Sequence, residues 1–136
     1  MLTVLEKVDL LQRAEIFREV RTESLARIAS IAQEVGFQLL QPLFNENEAA
    51  EAMFVLLEGE VMLTCSGREG DKLSEFQAAG ALAVLAEQAY AETAVAIQPT
   101  QALRIGHQDF YEAIAEDINI ARGILRALVH MVSDSR

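Results

Sequence analysis

The sequence predicts a mainly β fold with helices at both ends. Three observations carry that reading. Apolar residues recur at helical spacing near both termini, short apolar runs alternate with turn residues between about 37 and 105, and one alanine- and leucine-rich stretch lies inside those runs.

At the N-terminal end, residues 4–11 read as a short helix, after which Ile16-Phe17 drops an aromatic into the core. Thr22 is expected to cap a second helix with Leu25, Ile28, Ala29, Ala32 and Val35 on one stripe, stopped by Gly36. Strands are expected over 37–44 (broken by Pro42), 53–57, 61–65, 72–76, 93–97 and 102–105. Glu58-Gly59-Glu60 and residues 66–71 read as turns. Strands this short at this spacing suggest a roll or sandwich. Residues 78–91 favour a short helix within it. Residues 109–115 form a further helix, followed by a longer one with Ile118, Ala121, Leu125, Leu128 and Val132 on one face, widened by Ile124 and Val129. The expected organisation is one domain: helices over 1–36, a roll with an inner helix over 37–105, and closing helices over 106–136.

Composition narrows the function. Apolar residues make up 51% of 136, which argues against disorder. No apolar run approaches the roughly 18–20 residues that span a bilayer, and the first residues do not read as a signal peptide, so membrane insertion is not expected. The single cysteine, Cys65, reads as a small strand residue and favours a cytoplasmic location. The net charge is −10, and residues 37–103 alone carry two basic and ten acidic groups. A nucleic-acid partner would want a basic face, and that middle segment is hostile to anions. No helix-turn-helix is read after the last helix. His107 and His130 are far apart in sequence, and with one cysteine no metal-ligand cluster is read, so no metal site is expected. The acidic turn of Glu46, Glu48 and Glu51 has no calcium-loop spacing and reads as solvated surface. No constellation of acid, base and nucleophile is present, so no catalytic residue is assigned and no enzyme is expected.

The order and spacing of several segments resemble the cyclic-nucleotide-binding domain family. Phe44-Asn45-Glu46-Asn47-Glu48 stands where that family has a phenylalanine and an acidic glycine turn. Residues 54–61, Phe-Val-Leu-Leu-Glu-Gly-Glu-Val, look like the aromatic strand, glycine turn and valine strand that follow. Residues 79–85, Ala-Gly-Ala-Leu-Ala-Val-Leu, resemble the opening of the phosphate-binding cassette, and residues 90–96, Tyr-Ala-Glu-Thr-Ala-Val-Ala, resemble its end. Leu103-Arg104-Ile105 and Asp109-Phe110-Tyr111-Glu112 look like the last strand and the helix after it. The resemblance implies a double-stranded β-helix, jelly-roll-like, and a pocket at Gly80, Ala81, Leu82, Ala83, Tyr90, Ala91, Glu92 and Thr93. The final stretch, residues 119–126, resembles versions of this domain appended to larger transporter-like or helical-repeat proteins, so the chain is read as an excised piece or a stand-alone relative.

In the family the cassette glutamate accepts from the ribose hydroxyl and an arginine grips the phosphate as a charge-assisted fork. Here the glutamate position is Ala81 and the arginine position is Tyr90, at the family's own separation. No lysine or arginine lies between Lys72 and Arg104, whereas Glu75, Glu87 and Glu92 do. Each hydrogen bond lost to a charged group costs about 1.5–3 kcal/mol. No cofactor is therefore expected, and cAMP or cGMP is not expected to bind tightly. The family's turn glycines appear as Leu40, Asn47 and Phe76, and the loops at Leu40 and Phe76 are expected to be rebuilt.

The expected function is a regulatory, non-catalytic module acting on a protein partner or on other domains of a parent chain. Tyr90 is read as a cap filling an emptied pocket. The alternative is a sensor of a cyclic nucleotide or another small ligand, using backbone groups and Arg68 or Lys72 from a loop, with Tyr90 anchoring a neutral or apolar molecule. The stripe Ile118, Ala121, Leu125, Leu128 and Val132 packs either on the roll or on a second copy as a homodimer.

Overall fold

In the computed structural model, which describes residues 1–134, the chain opens with three short helical pieces. Helix α1 covers Val4–Gln12, a 3-10 turn covers Glu15–Phe17 and α2 covers Thr22–Ile31. A capping box starts α1, the Thr3 hydroxyl accepting from Glu6 N–H and the Glu6 carboxylate accepting from Thr3 N–H. Strands follow: β1 Gln33–Phe37, β2 Pro42–Phe44, β3 Ala52–Glu58, β4 Val61–Cys65, β5 Arg68–Leu73 and β6 Ala78–Ala79. A six-residue helix, α3 Ala81–Ala86, precedes β7 Thr93–Ala96 and β8 Thr100–Gly106. Helices α4 His107–Glu116 and α5 Ile118–Asp134 close the chain.

Every strand pairing is antiparallel. One sheet runs β1-β8-β3-β6 and the other β2-β7-β4-β5. Apart from the β4–β5 hairpin, consecutive strands thus fall in different sheets, which is the crossing pattern of a jelly roll. The double-stranded β-roll expected from the sequence is present.

Two apolar clusters hold it together. One gathers Leu11, Phe17, Leu25, Ile28, Phe110 and Ile120 between the helices and the outer face of the first sheet. The other lies between the sheets, around Phe44, Phe54, Leu56, Val61 and Tyr90. Strand β3 feeds both: Met53 and Val55 point to the first cluster, Ala52, Phe54 and Leu56 to the second.

Several boundaries differ from the expectations. Helix α2 ends at Ile31, and 33–37 is a strand paired with β8, Gln33 opposite Arg104 and Phe37 opposite Thr100. The apolar spacing through Val35 suited either period, and the waiting edge of β8 decided it. Thr22 is the first helical residue rather than the cap, which is Arg21, with no side-chain capping bond. The turn expected over 66–71 shrinks to Ser66-Gly67, because Arg68–Leu73 forms a charged edge strand against β4. Residues 74–76 are therefore not strand. Cys65 does end β4, but it is exposed rather than packed.

The turns at Leu40, Asn47 and Phe76 are not rebuilt. All three residues adopt left-handed backbone, with φ of 68°, 71° and 67°. The reason is visible in their N–H groups. Leu40 donates to Ala96 O at 2.7 Å, Asn47 to Tyr90 O at 2.8 Å and Phe76 to Leu56 O at 2.7 Å. These bonds hold the turns at Leu40 and Phe76 to β7 and β3 and the turn at Asn47 to the segment before β7, and they offset the roughly 1–2 kcal/mol that a side chain pays in this conformation.

Among the described residues no helix is long and apolar enough to cross a membrane.

Candidate functional site

A cavity of about 640 Å³ opens between the roll and the terminal helices. That volume falls within the range typical of small-molecule pockets. Its walls come from four places: Leu63 and Leu73 on β4 and β5, residues 75–83 leading through β6 into α3, residues 90–92 before β7, and Ile16 and Met131 from the terminal helical segments. Seven of the eight expected pocket residues, Gly80, Ala81, Leu82, Ala83, Tyr90, Ala91 and Glu92, line it. Thr93 does not; its hydroxyl accepts from Glu46 N–H at 2.9 Å and ties the strand to the acidic turn.

Tyr90 is the centre of the arrangement. It is buried, and its ring stacks on Phe44 with centroids 3.8 Å apart and planes 9° apart. Its hydroxyl donates to Ala52 O at 2.5 Å and accepts from Ala52 N–H at 3.1 Å. β6 pairs with β3 only at Phe54 and Val55, so the phenol serves the backbone of Ala52 where that strand does not reach. Burial pushes the Tyr90 phenol above its ordinary pKa, against the lowering by the Ala52 backbone. At neutral pH it is an uncharged, fully engaged group. Its backbone is fixed as well, N–H to Glu48 O at 2.9 Å and O from Asn47 N–H at 2.8 Å.

Gly80 explains itself in this setting. It sits at φ 79° before α3, and a Cβ there would come within 2.8 Å of Tyr90 Cε1 and 3.1 Å of Phe44 Cε2. A side chain at position 80 would collide with the aromatic pair.

The cations expected to serve the site are elsewhere. Arg68 and Lys72 lie on the exposed edge strand β5 and do not line the cavity. The cavity instead meets Arg13 and Arg18, from the segment after α1, together with Glu15, Glu75 and Glu92. Arg13 pairs with Asp9 at 3.2 Å, and its guanidinium stands 5.2 Å from the Phe76 ring centroid. Sequence reasoning missed these two arginines, because nothing local in the sequence brings residues 13 and 18 beside residues 75–92.

A tie of a different kind joins the end of α3 to α4. Tyr111 donates to Leu85 O at 2.5 Å, and His107 Nε2 lies 3.0 Å from the Glu87 carboxylate. His130 sits 3.7 Å from Glu19. Neither histidine lines the cavity, and among the described residues no cluster of His, Cys, Asp and Glu is placed to hold a metal.

The long helix α5 presents two apolar faces. Ile120, Gly123, Ile124 and Ala127 are buried, with Gly123 so close to Val20 that a Cβ would come within 2.7 Å. The face expected to pack is offset from this one. Ile118, Leu125, Val129 and Val132 are exposed, Ala121 is half-buried, and Leu128 is half-buried against the first cluster.

Comparison with known proteins agrees with the architecture. Residues 34–117 match the family model described as the cyclic nucleotide-binding domain, and the chain belongs to that family. No curated protein matches the chain. Among solved structures, a Ruegeria pomeroyi protein superposes with a TM-score of 0.82 at 19% identity, over 94% of this chain and 59% of its own. The N-terminal domain of a transcriptional regulator from Streptomyces coelicolor gives 0.81 at 23% identity, over 94% of this chain and 95% of that one. The regulatory domain of Toxoplasma gondii PKA, solved with cAMP, gives 0.80 at 14% identity, over 96% of this chain and 50% of that one. This chain thus spans about half to three-fifths of two of these relatives and nearly all of the third. Two of these neighbours are named for regulation, the Streptomyces domain as part of a transcriptional regulator and the Toxoplasma domain as the regulatory domain of PKA.

Proposed function

We propose that this chain is a non-catalytic regulatory module that does not take cAMP or cGMP tightly and acts on a protein partner or on other domains of its parent chain. The observation that carries this reading is Tyr90. It stands where the family's phosphate arginine stands, and both hydrogen-bonding roles of its hydroxyl are spent on Ala52. A cyclic phosphodiester arriving there would find a phenol in place of a guanidinium at position 90, in a cavity where Arg13 and Arg18 are outnumbered by Glu15, Glu75 and Glu92. Ala81 offers the ribose no acceptor.

The partner surface we favour is a second copy, packed through α5. Ile118, Ala121, Leu125, Leu128 and Val132 repeat at alternating steps of three and four, the seam of a two-helix coiled coil. Ile118, Leu125 and Val132 of this face are exposed, with Leu125, about 61% exposed, in the middle, and an isologous contact would pair the face with itself about a two-fold axis.

Calorimetric titration of cAMP and cGMP at low salt tests the first part. No heat at millimolar nucleotide from a cooperatively folded protein is expected; stoichiometric binding at micromolar nucleotide would overturn it. Sedimentation tests the second: Leu125→Glu should shift a dimer to monomer without changing the melt of the monomer.

A further inference from the structure

The cavity remains large even with Tyr90 in place, which raises the question of what it admits. Its lining is apolar on several sides at once, from Ile16, Leu63, Leu73, Phe76, Leu82 and Met131. No single element supplies that surface; the roll, the inner helix and both terminal segments converge on it.

Charge decides the class of occupant. Arg13 is already engaged by Asp9 and by the Phe76 ring. Arg18 shares the cavity with Glu15, Glu75 and Glu92, so a ligand carboxylate or phosphate gains one unengaged cation against three repelling groups. A cationic ligand would meet those three carboxylates but also both guanidinium groups, so the lining offers neither charge a field of one sign. Apolar contact is the interaction the site offers most of, and it is non-directional.

We infer that the cavity binds a neutral, largely apolar small molecule. This rests on the preceding reading, that the cassette has given up its anion. Arg13 lies over Phe76 at the rim, so it joins the segment after α1 to the loop that borders the cavity. Occupancy would therefore be felt by the N-terminal helices, which is how a ligand here would reach a partner.

The test uses the full chain with Nile red as a neutral apolar probe and 8-anilinonaphthalene sulfonate as an anionic one. Nile red should give a blue-shifted, saturable emission at one probe per chain, and the anionic probe should bind more weakly. Ala91 is exposed at the cavity wall, so Ala91→Trp should fold normally and abolish saturable Nile red binding by filling the space. Leu82→Glu, at a residue about 63% exposed, should weaken it. Leu125→Glu should leave it unchanged. Loss with Leu125→Glu but not with Ala91→Trp would place the probe on α5 and overturn the inference, as would tighter binding of the anionic probe. These outcomes are separate from the calorimetry: micromolar cAMP binding overturns the lost cassette, whereas failure of Nile red alone overturns only the neutral ligand.

Discussion

The cluster beneath the helices and the cluster inside the roll are filled differently. Leu11, Phe17, Leu25, Ile28, Phe110 and Ile120 are completely buried, large, and drawn from five separate helical pieces. Inside the roll the large groups are the aromatics Phe37, Phe44, Phe54 and Tyr90, linked ring to ring, and around them stand the small residues Ala52, Ala79, Ala94 and Ala102. The buried residues of the first cluster are all apolar. The second is pinned by a phenol bonded to backbone and borders a cavity. The helical side is thus a packed anchor, and the roll side is a scaffold around a space.

Breaking the anchor should cost most. Phe17→Ala is expected to destabilise by about 3–5 kcal/mol, read from the urea midpoint. Against a total of roughly 5–15 kcal/mol, it should leave a barely folded protein. A loss under 1 kcal/mol would mean that the helices are not anchored there.

The roll should respond to chemistry rather than volume. Tyr90→Phe keeps the stack on Phe44 but leaves both Ala52 groups without a partner, and should cost about 1–3 kcal/mol. If the melt does not move, the phenol is not the tie described above.

The left-handed turns sharpen the comparison in the opposite direction. Leu40 is about 69% exposed, so Leu40→Gly loses little packing and relieves the left-handed cost, for a gain of about 0.5–1 kcal/mol. Phe76→Gly should gain less, because the ring under Arg13 is lost. Differential thermal melts of the two variants check the order.

The smallest effect concerns the junction of α4 and α5. The Asp117 carboxylate is held below its ordinary value of 3.8, first by the Ser24 hydroxyl, then by Asn119 N–H and the Arg27 guanidinium. Ser24 Oγ is buried and meets no acceptor within hydrogen-bond geometry, so the Asn119 bond at 3.0 Å and Arg27 at 3.6 Å are the firmer contacts. A lowered folded pKa gives stability that is present above the unfolded value and fades as pH falls through the folded one. Asp117→Asn should therefore melt lower than the parent at pH 7, with the gap closing below pH 3.8. A gap independent of pH would exclude this charge as its source.

Much of the roll was legible. Alternation in 61–65, Gly59 in its turn and the cassette spacing from Gly80 to Tyr90 all placed the strands and inner helix near where they lie. The site was legible in one part of its walls and not in the rest. Gly80 to Ala83 and Tyr90 to Glu92 do line the cavity, while Arg13, Arg18, Ile16 and Met131 gave no sign of reaching it. The helical stripe on α5 was read as one face, yet a helix between a core and an open side carries two, and period alone does not say which is covered.

What the sequence determined by itself is therefore local: element type where periodicity was clear, a stretch without lysine or arginine from 73 to 103, and an acidic middle. What tertiary structure decided was set by partners distant in the chain. Residues 33–37 became strand because β8 offered a ladder. Leu40 and Phe76 took glycine's conformation because neighbouring strands accepted their N–H groups, and hydrogen bonds between strands outweigh a single residue's backbone preference. Tyr90 became a structural tie because folding set Ala52 within reach of its hydroxyl, 38 residues away.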